Sequence, residues 1–145
     1  MRIAVYGKGG IGKSTIATSL CAAWTRAGRR VLFIGCDPKH DGAMKLVDEF
    51  PVRTIFGSMA IHGERNLRLD HFLMHGRSGI DCIEVGGPEP GVGCAGRGIT
   101  KALELLARLD FDWPAYEIVV WDVLGDVVCG GFAAPLQASR TEQHP

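Results

Sequence analysis

The chain opens on an apolar run, Ile3 to Tyr6, that switches directly into GKGGIGKST. A short β-prone run bounded by glycine predicts a buried strand. From Thr15 the period lengthens. Ile16, Leu20, Ala23, Trp24 and Ala27 recur at helical spacing, and Gly28 is a natural stop. They predict a helix that turns those residues to the core. Val31 to Ile34 is a second apolar run and ends in GCDPKHDG. Strand, loop, helix and strand make one βαβ unit, which predicts a parallel sheet.

The middle of the chain is less regular. Ala43 to Phe50 predicts a short helix stopped by Pro51, and Thr54 to Ala60 predicts another. Residues 61–78 are polar and rich in His and Arg, with only Leu67, Leu69, Phe72 and Leu73 to bury, so surface loops and a short helix are expected. Ile80, Ile83 and Val85 suggest a third strand running into GGPEPGVGCAGRG. Ile99, Ala102, Leu103, Leu106 and Leu109 mark a helix face, and Glu117 to Trp121 a fourth strand closed by Asp122 and VLGDVVCGG. Each glycine-rich loop follows a strand, which is where open α/β sheets bind ligands.

Composition narrows the function classes. Of 145 residues, 46 % are hydrophobic and 22 % charged, which excludes a disordered, highly charged chain. Lys+Arg 16 against Asp+Glu 16 gives zero formal charge, so no nucleic-acid partner is expected. No apolar stretch approaches the roughly 20 residues that span a bilayer. The N-terminus does not read as a signal peptide, and a cytoplasmic location is expected. Five cysteines, an odd number with no CxxC spacing, argue against a disulfide scaffold.

Gly7-Lys8-Gly9-Gly10-Ile11-Gly12-Lys13-Ser14 fits GxxxxGK[ST] between a strand and a helix. Glycines let backbone N–H groups converge on phosphate oxygens, Lys13 reaches the β/γ-phosphates, and the Ser14 hydroxyl ligates Mg²⁺. The fold expected is therefore an α/β P-loop NTPase, a mostly parallel sheet flanked by helices and truncated after about four strands. Lys8 is a second lysine in the loop. It is either a solvated side chain or one that reaches a nucleotide across a subunit interface and offsets γ-phosphate charge. Asp122 ends a strand and is a candidate for holding Mg²⁺. Asp37 and Asp41 follow the second strand, and Asp126 follows Asp122; either Asp126 or Asp37 could position the attacking water.

Cys94 in GVGCAGRG and Cys129 in VVCGGF are each surrounded by glycine, with nothing bulky to pack against. Cys21, Cys36 and Cys82 sit in apolar elements and read as small hydrophobes. Two thiolates cannot complete a four-ligand metal set, but two chains related by a two-fold axis supply four. A redox thiol pair without metal fits the same residues.

The segments YGKGGIGKST, GCDPKHD, GGPEPGVGCAGRG and DVLGDVVCGGFAAP strongly resemble the nitrogenase iron protein (dinitrogenase reductase) family. That family includes relatives serving protochlorophyllide, chlorophyllide and other reductases. The resemblance runs from residue 1 to about 136, leaving 137–145 as a divergent polar tail. It implies a homodimer sharing one 4Fe-4S cluster, with MgATP hydrolysis driving single-electron transfer into a catalytic reductase component, nitrogenase first. The implied electron source is a ferredoxin or flavodoxin. Cys94 and Cys129 match the cluster ligands, and Lys8 the signature lysine of the deviant P-loop class. Lys13, Ser14 and Thr15 match phosphate and magnesium positions. Asp37, Lys39 and Asp41 match the first nucleotide-responsive switch, and Asp122 to Asp126 the second. Arg97 matches an arginine that some family members have ADP-ribosylated, a docking arginine being the alternative. Gly42 stands where the family usually has a hydroxyl residue. Competing readings are a cluster-free partitioning-type ATPase and an inactive truncated fragment.

Overall fold

A computed structural model describes residues 1–8, 10–37, 39, 41–87 and 95–124, and for 95–97 and 124 the backbone only. The elements are β1 (Arg2–Gly7), α1 (Lys13–Arg26), β2 (Val31–Gly35), α2 (Ile55–His62), β3 (Met74–His75), β4 (Asp81–Glu84), α3 (Ala95–Arg108) and β5 (Ile118–Leu124). The strands form one sheet in the order β1-β5-β2-β4-β3, parallel except for β3 against β4.

That sheet has five strands, where the hydrophobic pattern predicts about four. The extra one, β3, lies in the stretch expected to be loops. It is only two residues long, too short to show a period of two, and it buries Met74 completely. The helix predicted over Ala43 to Phe50 is instead a single 3-10 turn, Ala43–Lys45. Tertiary hydrogen bonding wins there. The Leu46 carbonyl accepts the Arg77 N–H at 2.8 Å rather than continuing a helix.

Helix α1 also faces differently from its hydrophobic pattern. Its buried stripe is Lys13, Ala17, Cys21 and Thr25, whereas Ile16 is 57 % and Leu20 37 % exposed, and Ala23 is exposed too. Only Trp24 of the expected face packs on the core, in part. Small side chains let the helix axis approach the sheet, so size selects the buried face here rather than hydrophobicity. The hydroxyls of Thr18 and Thr25 are satisfied at 2.8 Å by carbonyls one turn back, Ser14 O and Cys21 O. Gly28 does stop the helix, at φ 78°.

Two apolar layers result. On one face Ala17 and Cys21 of α1 pack on Val31, Phe33, Cys82 and Val120. On the other, Ile55 of α2 and Ile99, Ala102, Leu105 and Leu106 of α3 cover Leu32, Ile34, Ile83, Val119 and Trp121. Leu105 replaces Leu103 and Leu109 at the centre of the α3 face; those two lie partly buried at its margins. Truncating Leu105 to Ala should therefore cost about 2–5 kcal/mol, the usual range for a fully buried leucine. Urea unfolding of the parent and the variant measures it, and a loss under 1 kcal/mol would return α3 to the face centred on Leu103.

Candidate nucleotide site

The parallel register puts three residues of the sheet's C-terminal edge in one row. Gly35 pairs with Asp122 on one side and with Glu84 on the other. Two positions earlier the same row is Phe33, Val120 and Cys82, packed in the α1 layer. Side chains alternate along a strand, so Glu84 at the end of β4 and Asp122 emerge on the α1 face; Asp122 does not close its strand as expected, because pairing with β1 carries β5 on to Leu124. The missing side chain of Gly35 leaves the room between them. A Cβ there would collide with the Glu84 carboxyl.

Lys13 opens α1 above this row, and its buried Nζ donates to Asp122 Oδ1 at 2.9 Å. Asp37 Oδ2 is 4.0 Å away and Ser14 Oγ 3.4 Å. Asp122 Oδ2 is buried with no hydrogen-bond partner among the described residues. Such an oxygen, on a carboxylate that shares the Lys13 ammonium with the Ser14 hydroxyl, suits a hard, oxygen-seeking cation such as Mg²⁺. Gly10 and Gly12 take φ of 84° and 91°, left-handed backbone that brings the loop round into the helix N-terminus.

Apart from Asp122, which is paired with Lys13, these residues line a pocket of about 520 Å³. Lys8, Gly10, Gly12, Lys13, Ser14 and Thr15 line it from the loop and α1; Asp37, Lys39 and Asp41 line it from the segment after β2. The sequence-derived set therefore converges, although Asp37 and Asp41 lie beyond the strand, which ends at Gly35. Gly7 closes β1 beneath the loop. Gly9, Cys94, Asp126 and Cys129 lie outside the described residues, as does the side chain of Arg97 in α3.

Two residues of the site were not signalled by any motif. Lys45 lines the pocket and donates to Thr15 Oγ1 at 2.9 Å. Glu84, fully buried, accepts the Ala43 N–H on Oε1 at 2.6 Å, and its Oε2 is unpartnered among the described residues. Burial pushes its carboxyl up to about 8, against the hydrogen bond from Ala43 and with help from the charges of Asp122, Asp41 and Asp37. The signal available was a lone glutamate in an otherwise apolar run, IEV. The departure at Gly42 has a steric reason: a Cβ there would lie 3.0 Å from both Glu84 Oε1 and Phe33 Cζ.

The described cysteines are poor metal ligands. Burial pushes the Cys21 thiol up to about 12, and raises Cys36 and Cys82 further, with Glu84 adding to both. They stay protonated at neutral pH, whereas ligation needs thiolate. Among the described residues no group of three or more His, Cys, Asp or Glu could hold a metal ion.

The model of the family described as "4Fe-4S iron sulfur cluster binding proteins, NifH/frxC family" matches residues 1–144. A nitrogenase iron protein of Methanospirillum hungatei JF-1 is 50 % identical over 143 residues, 98 % of this chain and 50 % of that protein. A light-independent protochlorophyllide reductase iron-sulfur ATP-binding protein of Methylocella silvestris is 49 % identical over 141 residues, 95 % of this chain and 46 % of its own. The chain thus spans about half the length of the curated relatives it matches. Among solved structures, the chimerical protein CapA2B2 superposes with a TM-score of 0.65 at 20 % identity, over 90 % of this chain and 54 % of that one. At that identity the likeness shows the fold alone.

The titration of Glu84 makes a stability prediction. Its native value, about 8, lies above the ordinary 4.5, so the folded state binds the extra proton. Its contribution is complete below about pH 4.5 and is lost as pH rises through 8. Unfolding free energy should fall between pH 5 and 8 in the parent, and Glu84→Gln, which stays neutral, should flatten that fall. Identical slopes in chemical denaturation would remove Glu84 as its source.

Proposed function

The chain belongs to the NifH/frxC family of 4Fe-4S iron sulfur cluster binding proteins, and on that premise we propose that it forms the nucleotide-binding half of an ATP-driven electron donor. The recipient is a nitrogenase-like reductase, nitrogenase itself first, as the GGPEPGVGCAGRG segment favours. The observation that carries the reading is the shared edge. The strands that carry Glu84 and Asp122 beside Gly35 at that edge, β4 and β5, are the ones whose sequences continue to Cys94 and Cys129.

In this reading MgATP changes the partners of a pre-assembled pair. Lys13 turns from Asp122 to the β/γ-phosphates, and Asp122 is released to Mg²⁺ together with Ser14. Each buried charge keeps a counter-charge throughout, so the exchange avoids stranding either ion. Lys8 lies on the exposed lip of the pocket, where a second subunit's nucleotide could meet it. Asp37, or Asp126 beyond it in the chain, orients the attacking water. Hydrolysis then shifts the segment from Asp122 through Asp126, which leads without interruption to Cys129.

Cys94 and Cys129 fit the cluster by their chemistry. They have glycine neighbours, whose N–H groups favour thiolate, whereas the three buried thiols are held protonated. A 4Fe-4S cluster, when bound, supplies a one-electron store, and two thiolates from each of two chains complete its four ligands. A homodimer follows from that count.

Two measurements on the full-length protein test this. Calorimetric titration with MgATP should lose most affinity in Lys13→Ala, because charge-assisted contacts to phosphate are strong. Unchanged binding and hydrolysis would remove the phosphate-loop assignment. Anaerobic iron analysis should find about four irons per dimer, as one cubane requires. Cys94→Ser or Cys129→Ser should abolish that iron while Cys82→Ser keeps it; full iron without Cys129 would end the shared-cluster reading.

A further inference from the structure

The phosphate pocket has a cation that neither the phosphate loop nor the aspartate segment supplies. Lys45 ends the 3-10 turn Ala43–Lys45 and stands on the pocket wall facing the start of α1. Its turn is pinned from several sides. The Ala43 N–H is held by buried Glu84, the Ala43 carbonyl accepts the Leu46 and Val47 N–H groups at 2.8 and 3.1 Å, and the Leu46 carbonyl holds the Arg77 N–H. Leu46 and Val47 are themselves buried in the α1 layer. The backbone of Lys45 is therefore fixed, and only its side chain is at liberty.

That side chain has chosen a neutral partner. Its Nζ donates to Thr15 Oγ1 at 2.9 Å and, among the described residues, makes no ion pair. The same holds for Lys8 and Lys39 among the described residues, so four lysines line the pocket against the carboxylates of Asp37 and Asp41. The pocket's buried lysine, Lys13, already has Asp122. An excess of cations at a helix N-terminus suits a multiply charged anion. Lys45 and Thr15 together offer two donors to a single oxygen, since the threonine hydroxyl can turn its hydrogen outward while it accepts from Lys45.

We propose that Lys45 is a further phosphate-contact residue, binding with the Thr15 hydroxyl a phosphate oxygen remote from the bond that is broken. Lys13 and Asp122 mark the buried end of the pocket, where the β/γ-phosphates sit; Thr15, exposed and further along α1, marks the other. Lys45 thus grips what ATP and ADP share. This rests on the MgATP reading above and extends it to a residue from outside the loop.

The test uses the full-length protein and the variants Lys45→Met, which keeps the stem and removes the charge, Lys45→Arg and Lys13→Ala. Calorimetry with MgATP and with MgADP reads the dissociation constants at two salt concentrations. Lys45→Met should weaken both nucleotides by the same factor, roughly 3–10-fold for a partly screened charge contact, and should lessen the salt dependence of binding. Lys45→Arg should stay near the parent. Parental affinity of Lys45→Met for both nucleotides would overturn the proposal, as would a loss confined to MgATP, which would put Lys45 on the terminal phosphate. If Lys13→Ala binds normally too, the phosphate reading of the whole pocket fails. If only Lys13→Ala loses binding, Lys45 alone is misassigned.

Discussion

A lysine ammonium buried at the end of a parallel sheet must be neutralised, and Asp122 does this for Lys13 at 2.9 Å. Everything around the pair serves that requirement. Removing one partner from a buried ion pair typically costs about 3–5 kcal/mol, because the other is left uncompensated. The helix that carries Lys13 must therefore lie close to β5, and its buried stripe is built from Ala17, Cys21 and Thr25 to permit it. The larger Ile16 and Leu20 are turned outward by the same geometry. The placing of Lys13 and the packing of α1 are thus one constraint, since Lys13, Ala17, Cys21 and Thr25 follow one another at a spacing of four along the helix.

The second carboxyl of the row answers to a different need. Glu84 cannot ionise cheaply beside Asp122, Asp37 and Asp41, and burial keeps it protonated near neutral pH. A neutral carboxyl can still accept the Ala43 N–H, and so it anchors the turn after Asp41 without adding a charge to a crowded anionic edge. Two glycines accommodate it, Gly35 in the sheet and Gly42 in the turn. At Gly42 the space is shared with Phe33, so a bulkier residue there demands a smaller one at 33.

Much of this was legible in the sequence because the motifs state backbone geometry as well as chemistry. GKGGIGKST specifies a strand, a glycine turn and a helix in one phrase, and the structure supplies all three. The convergence of Asp37, Lys39 and Asp41 on the loop followed from strand ends sharing an edge. What failed rested on side-chain pattern alone. A helix chosen by apolarity puts Ile16 inward; one chosen by closeness of approach puts Ala17 there. The turn at Ala43–Lys45 depends on hydrogen bonds to Glu84 and Arg77, both distant in the chain, and no local propensity encodes them. Lys45 was invisible for the same reason, because it reaches the pocket only through that turn.

The cysteines show how one residue type is divided between packing and chemistry. Cys21 and Cys82 lie in the α1 layer, and Cys36 in the other, near Asp122 and Glu84. All three are surrounded by apolar atoms or carboxyls, and both surroundings disfavour thiolate. A thiol that remains protonated is neither a ligand nor a ready target for oxidation. Cys94 and Cys129 stand instead in glycine-rich sequence after the strands that carry Glu84 and Asp122. Burial among acids and apolar side chains thus commits Cys21, Cys36 and Cys82 to packing by environment alone.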